Sequence, residues 1–233
     1  MKRVEARPGE YLDVELNADV LRVNEELAEQ NKERLRARGI TAIDVMGSTG
    51  SGKTTLIVQM VERLRGAHVV AAIDGDLTTT IDAENIARHG VDVVQINTGR
   101  ECHLDARLVS RAIDEVQTEG LDLLFIENVG NLICPSEFPL GSEKRIVVIS
   151  VTEGPYTVLK HPNIFMNADV VVINKVDLAE AMEVDPAKLE RDIRAINPKA
   201  KVVRAVARRG EGVEDVVKAL GLERVTSESE CLR

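Results

Sequence analysis

A chain of 233 residues, 44% hydrophobic and 30% charged, has the length and balance of one substantial α/β unit or two small ones. A formal net charge of −9 and an aromatic content of 2%, with no Trp, weigh against nucleic acid or an anionic membrane as a partner. No apolar run approaches the ~20 residues of a membrane span, Met1-Lys2-Arg3-Val4-Glu5 is not a signal peptide, and three cysteines make no disulfide framework, so a cytoplasmic chain with reduced thiols is expected.

Residues 1–15 read as turn-like around Pro8-Gly9. Over residues 17–38, Val20, Leu21, Leu27 and Leu35 sit among charges at helical spacing, and Gly39 stands where a C-cap glycine belongs. This helix precedes the core and is expected to pack on a sheet edge or on another subunit. The apolar run 40–46 predicts a strand leading into Gly47-Ser48-Thr49-Gly50-Ser51-Gly52-Lys53-Thr54, which fits the phosphate-binding pattern G-x-x-x-x-G-K-[ST]. Thr55-Leu56-Ile57-Val58 carries a helix on to about residue 64. The loop residues and Thr55 are the candidate phosphate ligands: glycines turn N–H groups inward, Lys53 meets the β- and γ-phosphates, and Thr54 offers its hydroxyl to Mg²⁺.

A strand over 68–73 ends in Asp74-Gly75-Asp76, and Thr78-Thr79-Thr80 leads to a short helix over 82–88. A third strand, 91–96, ends at Asn97-Thr98-Gly99-Arg100-Glu101-Cys102-His103, followed by a helix over 104–117. Strand four, 121–126, runs into Glu127-Asn128-Val129-Gly130-Asn131-Leu132-Ile133-Cys134-Pro135. Strands over 146–151, 170–173 and 202–206 and helices over 186–196 and 213–220 complete the chain, with a polar tail from Thr226. The alternation predicts an α/β fold with a mostly parallel sheet covered by helices on both faces, ligands lying beyond the strands' carboxyl ends. The expected division is an N-terminal extension and helix (1–39), a nucleotide-binding domain (40–222) and a tail (223–233).

Asn174-Lys175-Val176-Asp177 follows a strand and matches the base-reading N-x-x-D form of GTPases, N-K-x-D. The Asp177 carboxylate accepts from guanine N1–H and the 2-amine, whereas adenine would leave it unpaired. Lys175 lays its stem along the base or supports the phosphate loop, and Asn174 ties the segments together. Val206-Ala207 stand where a main-chain donor meets guanine O6; Val206 departs from the usual residue, so only a backbone role is expected.

Asp76 and Glu127, each at a strand end, are the candidate Mg²⁺ carboxylates and, with Lys53, the candidate catalytic groups; Asp74 is the second choice for the metal. Gly130, three residues past Glu127, would give its N–H to the γ-phosphate. No obvious residue positions the attacking water, and such enzymes are slow without an added cation; Lys160 is a candidate for that cation, supplied from a partner subunit. Cys102-His103 and Cys134 suit Zn²⁺ or Ni²⁺. The same residues also fit plain buried thiols and a helix-capping histidine. Three ligands from one chain do not close a tetrahedral site; two copies meeting at a dimer axis do.

With these stretches the chain resembles the hydrogenase nickel-incorporation GTPases of the HypB family, in the SIMIBI class of P-loop GTPases. The likeness runs from Glu25-Glu26-Leu27-Ala28-Glu29 to the last helix, and its most diagnostic part is Glu127 to Pro135. It implies a GTP-dependent homodimer that works with other maturation proteins to deliver Ni²⁺ to the large subunit of [NiFe]-hydrogenase. It also implies that Cys102, His103 and Cys134 bind metal across the dimer interface. The family's N-terminal Cys-x-x-Cys-Gly-Cys motif and His-rich tract are absent, and Cys231 matches nothing. The urease accessory GTPases share the nucleotide motifs but have a Cys-Pro-His order lacking here. A P-loop small-molecule kinase is the other alternative, opposed by Asn174-Lys175-Val176-Asp177.

Overall fold

In chain order the strands are β1 (Thr41–Gly47), β2 (Val70–Asp76), β3 (Asp92–Asn97), β4 (Leu123–Glu127), β5 (Lys144–Ser150), β6 (Val170–Asn174) and β7 (Lys201–Arg204). They form one sheet in the order β3-β2-β4-β1-β5-β6-β7, and every neighbouring pair is parallel. The computed structural model describes residues 14–99, 101–117 and 119–223. The turn around Pro8-Gly9, Arg100, the tail from Thr226 and Cys231 lie outside the described residues.

Alternation along each strand divides the core between the two faces of the sheet. Ile43, Val45, Phe125, Val148 and Val172 pack on one face, against α2 (Lys53–Leu64), α3 (Ile81–Ala87) and α8 (Val213–Leu220). On the other face Ala42, Ile73 and Ile126 meet α1 (Val14–Ala37) and α4 (Ala106–Glu115). Met46, Val147 and Val171 meet α5 (Thr157–Lys160), α6 (Asn163–Met166) and α7 (Pro186–Ile196). The expected fold, helices covering both faces of a parallel sheet, is the one observed. No helix among the described residues is long and apolar enough to cross a membrane.

Three local differences from the sequence expectation have physical causes. The first helix lies on a sheet face beside α4, not on an edge: buried Asn24 and Asn31 hydrogen-bond the Ala106 backbone and the Pro139 and Leu140 carbonyls. Strand β2 runs on through Asp74-Gly75-Asp76, because Asp74 and Asp76 pair in register with Gln95 and Asn97 on β3. The fourth helix starts at Ala106, not at residue 104, because the Asp105 carboxylate caps it by accepting from Leu108 N at 2.7 Å.

Candidate nucleotide and metal site

The loop between β1 and α2 wraps the end of the sheet in a shape that only glycine permits. Gly52 is left-handed (φ 104°), and a Cβ there would stand 2.3 Å from Asn174 Nδ2; one on Gly47 (φ 151°) would stand 2.2 Å from the Val148 carbonyl. A cleft of 540 Å³ opens above the loop, lined among others by Gly52, Lys53, Thr54, Asp76, Glu127 and Gly130. That volume is ordinary for a small-molecule site.

Inside the cleft the charged groups are close and dry. The Thr54 hydroxyl donates to Glu127 Oε1 at 2.9 Å, and Lys53 Nζ stands 3.9 Å from the same oxygen. Glu127 is 3% exposed, and its Oε2 has no partner. Burial pushes its carboxyl up to about 8, against the pull of Lys53. Asp74, in register with Glu127 across β2 and β4, also has an unpartnered buried oxygen, and burial lifts it to about 6. Orphaned acidic oxygens beside a P-loop hydroxyl form a donor set that suits a hard cation such as Mg²⁺. Asp76 lines the cleft, but both its oxygens are engaged locally, by Leu77 N (2.5 Å), Thr79 N (3.2 Å) and the Thr79 hydroxyl.

Beside the loop, Asn174 performs three tasks. Its Nδ2 donates to Ser51 O at 2.8 Å, and its Oδ1 accepts from Lys175 N (2.8 Å) and Ala207 N (3.0 Å). The Lys175 ammonium donates to Gly50 O at 2.6 Å, so this residue supports the loop. Asp177 pairs with Arg209 at 3.3 Å. In that turn the Val206 N–H donates to Glu211 O at 3.0 Å and the Ala207 N–H to Asn174, so both carry a partner within the chain. Ser48 is held from the other side by Glu153, whose Oε1 accepts from the Ser48 hydroxyl at 2.6 Å and from Ser150 N at 2.9 Å. Lys160 is exposed on α5.

Cys102, His103 and Cys134 converge from two loops, with their ligand atoms all within 4.8 Å of one another. The two sulfurs are 2.9 Å apart, and Cys102 Sγ is 4.0 Å from His103 Nδ1. The His103 ring lies 3.9 Å from that of Phe138, and burial lowers its pKa, which favours the neutral imidazole a metal requires. The hydrogen bond with Cys102, aided by burial, raises the Cys134 thiol. Two thiols and a neutral imidazole fit a soft or borderline cation such as Zn²⁺ or Ni²⁺.

Residues that the sequence reading passed over connect the two sites. Asn128, 1% exposed, donates to Asp44 Oδ1 (3.3 Å) and accepts from Leu104 N (3.1 Å), the residue after His103. Asn131 N–H donates to Gly47 O at 3.1 Å, while its side chain reaches Cys102 O at 3.4 Å. The available signal was their place inside Glu127-Asn128-Val129-Gly130-Asn131, between a nucleotide residue and a cysteine.

The chain is similar to known proteins. The nucleotide-binding domain of the CobW/HypB/UreG family matches residues 41–204. A Methanocaldococcus jannaschii protein described as "Probable hydrogenase maturation factor HypB" is 48% identical over 205 residues, covering 88% of this chain and 93% of that one. The crystal structure of a hydrogenase maturation factor HypB from Archaeoglobus fulgidus is 45% identical, with a TM-score of 0.79 over 85% of this chain and 97% of that one. That of HypB from Helicobacter pylori in complex with nickel is 35% identical, with a TM-score of 0.80 over 85% and 94%.

Proposed function

This chain belongs to the HypB hydrogenase maturation factors of the CobW/HypB/UreG family of P-loop GTPases, and on that premise we propose that it uses GTP to deliver nickel during [NiFe]-hydrogenase maturation. The observation that carries the proposal is a juxtaposition. Cys102, His103 and Cys134 cluster within 4.8 Å, and Cys134 lies on the same loop as Glu127 and Gly130, which line the nucleotide cleft.

The phosphate loop from Gly47 to Thr55 holds the phosphates, with Lys53 directed at the β- and γ-oxygens and Gly130 offering its N–H to the γ-phosphate. Asp177 reads guanine, and the turn after Val206 supplies the main-chain donor. Thr54 and Glu127, with Asp76 or its neighbour Asp74, would hold the Mg²⁺, which when bound neutralises charge on the phosphates. Asp76 lines the cleft with oxygens that already accept from Leu77 and Thr79 and keep lone pairs for a cation, whereas Asp74 carries an oxygen with no partner.

Nickel is the cargo, and Cys102, His103 and Cys134 are its ligands, with Zn²⁺ as the competing ion. A second copy of the chain supplies the ligands that three residues cannot, so the working form is a homodimer that meets other maturation proteins and the hydrogenase large subunit. GTP and the metal each alter the other's affinity, since linkage is reciprocal.

Lys53→Ala tests the reading. GTP turnover and nickel incorporation into the hydrogenase large subunit should fall together. Turnover lost with nickel incorporation intact would reduce the protein to a metal store. In a nucleotide panel GTP should be preferred; preference for ATP would favour a small-molecule kinase.

A further inference from the structure

Between the nucleotide cleft and the metal ligands the Asn131 side chain touches the backbone of both metal-bearing loops, at Cys102 and at Ile133. We infer that Asn131 is the positioning residue through which nucleotide state sets the geometry of the Cys102–His103–Cys134 site. The inference rests on the proposed GTP-dependent nickel function and names the part that makes the dependence possible.

The turn from Glu127 to Asn131 is stitched along the end of β1. Asn128 N–H donates to Val45 O at 3.0 Å, and Asn131 N–H to Gly47 O at 3.1 Å, so the turn is fixed on both sides of Gly130 to the strand that opens the phosphate loop. Gly130 is pressed against that loop: its carbonyl accepts from the Thr49 hydroxyl at 3.2 Å, and a Cβ on Gly130 would stand 2.2 Å from that oxygen. A γ-phosphate that engages Gly130 N–H therefore binds the same turn that Thr49 holds, and its arrival or loss bears directly on where that turn sits.

The two asparagines differ in their freedom to follow such a movement. Asn128 is almost fully buried and bonded to buried Asp44 on β1, so it is a fixed pivot. Asn131, next to Gly130, is only partly buried. Its Nδ2 donates to the Cys102 carbonyl at 3.4 Å, and its Oδ1 accepts from Ile133 N, the residue before Cys134, at 2.9 Å. Movement of Gly130 is thus passed through one amide to both cysteine-bearing segments. A hydrogen-bonded link with a donor on one loop and an acceptor on the other changes the separation of the two thiols when it tilts.

The test measures Ni²⁺ affinity of the full chain by competition with a chromophoric chelator, once with GDP and once with a non-hydrolysable GTP analogue and Mg²⁺. The proteins are wild type, Asn131→Ala and Ser136→Ala. Ser136 closes the Cys134 turn on Ile133 O at 2.6 Å without touching the phosphate loop, so its loss loosens the same loop but leaves the link intact. Wild type and Ser136→Ala should show affinity ratios within the about 5–150-fold range usual for coupled sites, and Asn131→Ala a ratio within about twofold of one. In the GDP state Asn131→Ala should still bind nickel and keep its thiolate-to-nickel charge-transfer absorption. A wild-type ratio retained in Asn131→Ala, or lost equally in Ser136→Ala, overturns the inference alone. A wild-type ratio of one overturns the coupled function along with it.

Discussion

The Thr54 hydroxyl donates to Glu127 Oε1 at 2.9 Å, joining the first turn of the phosphate-loop helix to the end of β4. The carboxylate is thereby aimed at the cleft before any ligand arrives, and burial holds it as an acid up to about pH 8. Glu127→Gln keeps the shape and the Thr54 bond but removes the charge that a cation would draw out. Nucleotide binding without Mg²⁺ should persist, while Mg²⁺-dependent GTP hydrolysis should fall about 100-fold, or ~2.7 kcal/mol. Single-turnover phosphate release measures this, and an unchanged rate would remove Glu127 from the catalytic set.

The base site makes a second, chemically separate prediction. In the proposed base site the two acceptor oxygens of Asp177 would meet guanine's N1–H and 2-amine, and one of them pairs with Arg209. Asp177→Asn replaces an acceptor with an amide donor facing those donors. GTP affinity should fall by about 10⁴-fold, as expected for a site built to accept from a ligand's N–H groups. Xanthosine triphosphate, with an oxygen in place of the 2-amine, should recover most of it. Competition binding with the two nucleotides decides this, and equal GTP binding by the variant would place base recognition elsewhere.

A third prediction concerns stability and pH. Asp44 is fully buried on β1 with one oxygen unpartnered, and burial raises its pKa from 3.8 to about 6, against Arg145 and the Asn128 bond. Between those values the folded chain holds a proton that the unfolded chain has released. Its contribution to stability therefore falls as pH rises from about 4 to 6 and is flat above. Asp44→Asn should lose this slope and be more stable than wild type above pH 6, by up to about 3 kcal/mol at ~1.4 kcal/mol per unit of pKa. Urea unfolding at pH 4.5 and 7.5 tests it; identical pH dependence in the two proteins would contradict it.

The parts of this site that could be read in the sequence are those whose chemistry is consecutive. Gly47 to Thr54 and Asn174 to Asp177 each follow an apolar strand, and the structure brings the two stretches together at one end of the sheet, with Asn174 bonded to Ser51 O. The segment from Glu127 to Cys134 was legible for the same reason. Contacts between distant segments were not. Asn24 and Asn31 look like polar positions on a charged helix, yet they fasten the backbone at Ala106, Pro139 and Leu140. Nothing in the local sequence around Glu153 points to Ser48, yet its carboxylate braces that residue. The helices Thr157–Lys160 and Asn163–Met166 are a single turn each, too short for any apolar period to register. Asp74 ranks below Asp76 on position, and the fold adds that Asp74 has a buried oxygen without a partner while Asp76 lines the cleft and accepts from its own loop.

The central claim is that the Cys102–His103–Cys134 cluster is a metal site governed by the nucleotide cleft. Its most direct test is nickel and zinc content together with molecular mass in solution, for wild type and Cys102→Ala, each with GDP and with a non-hydrolysable GTP analogue. Wild type should carry metal in a dimer that the analogue favours, and Cys102→Ala should lose the metal while still binding nucleotide. Equal metal content in the two proteins would return Cys102 to the status of an ordinary thiol and contradict the account.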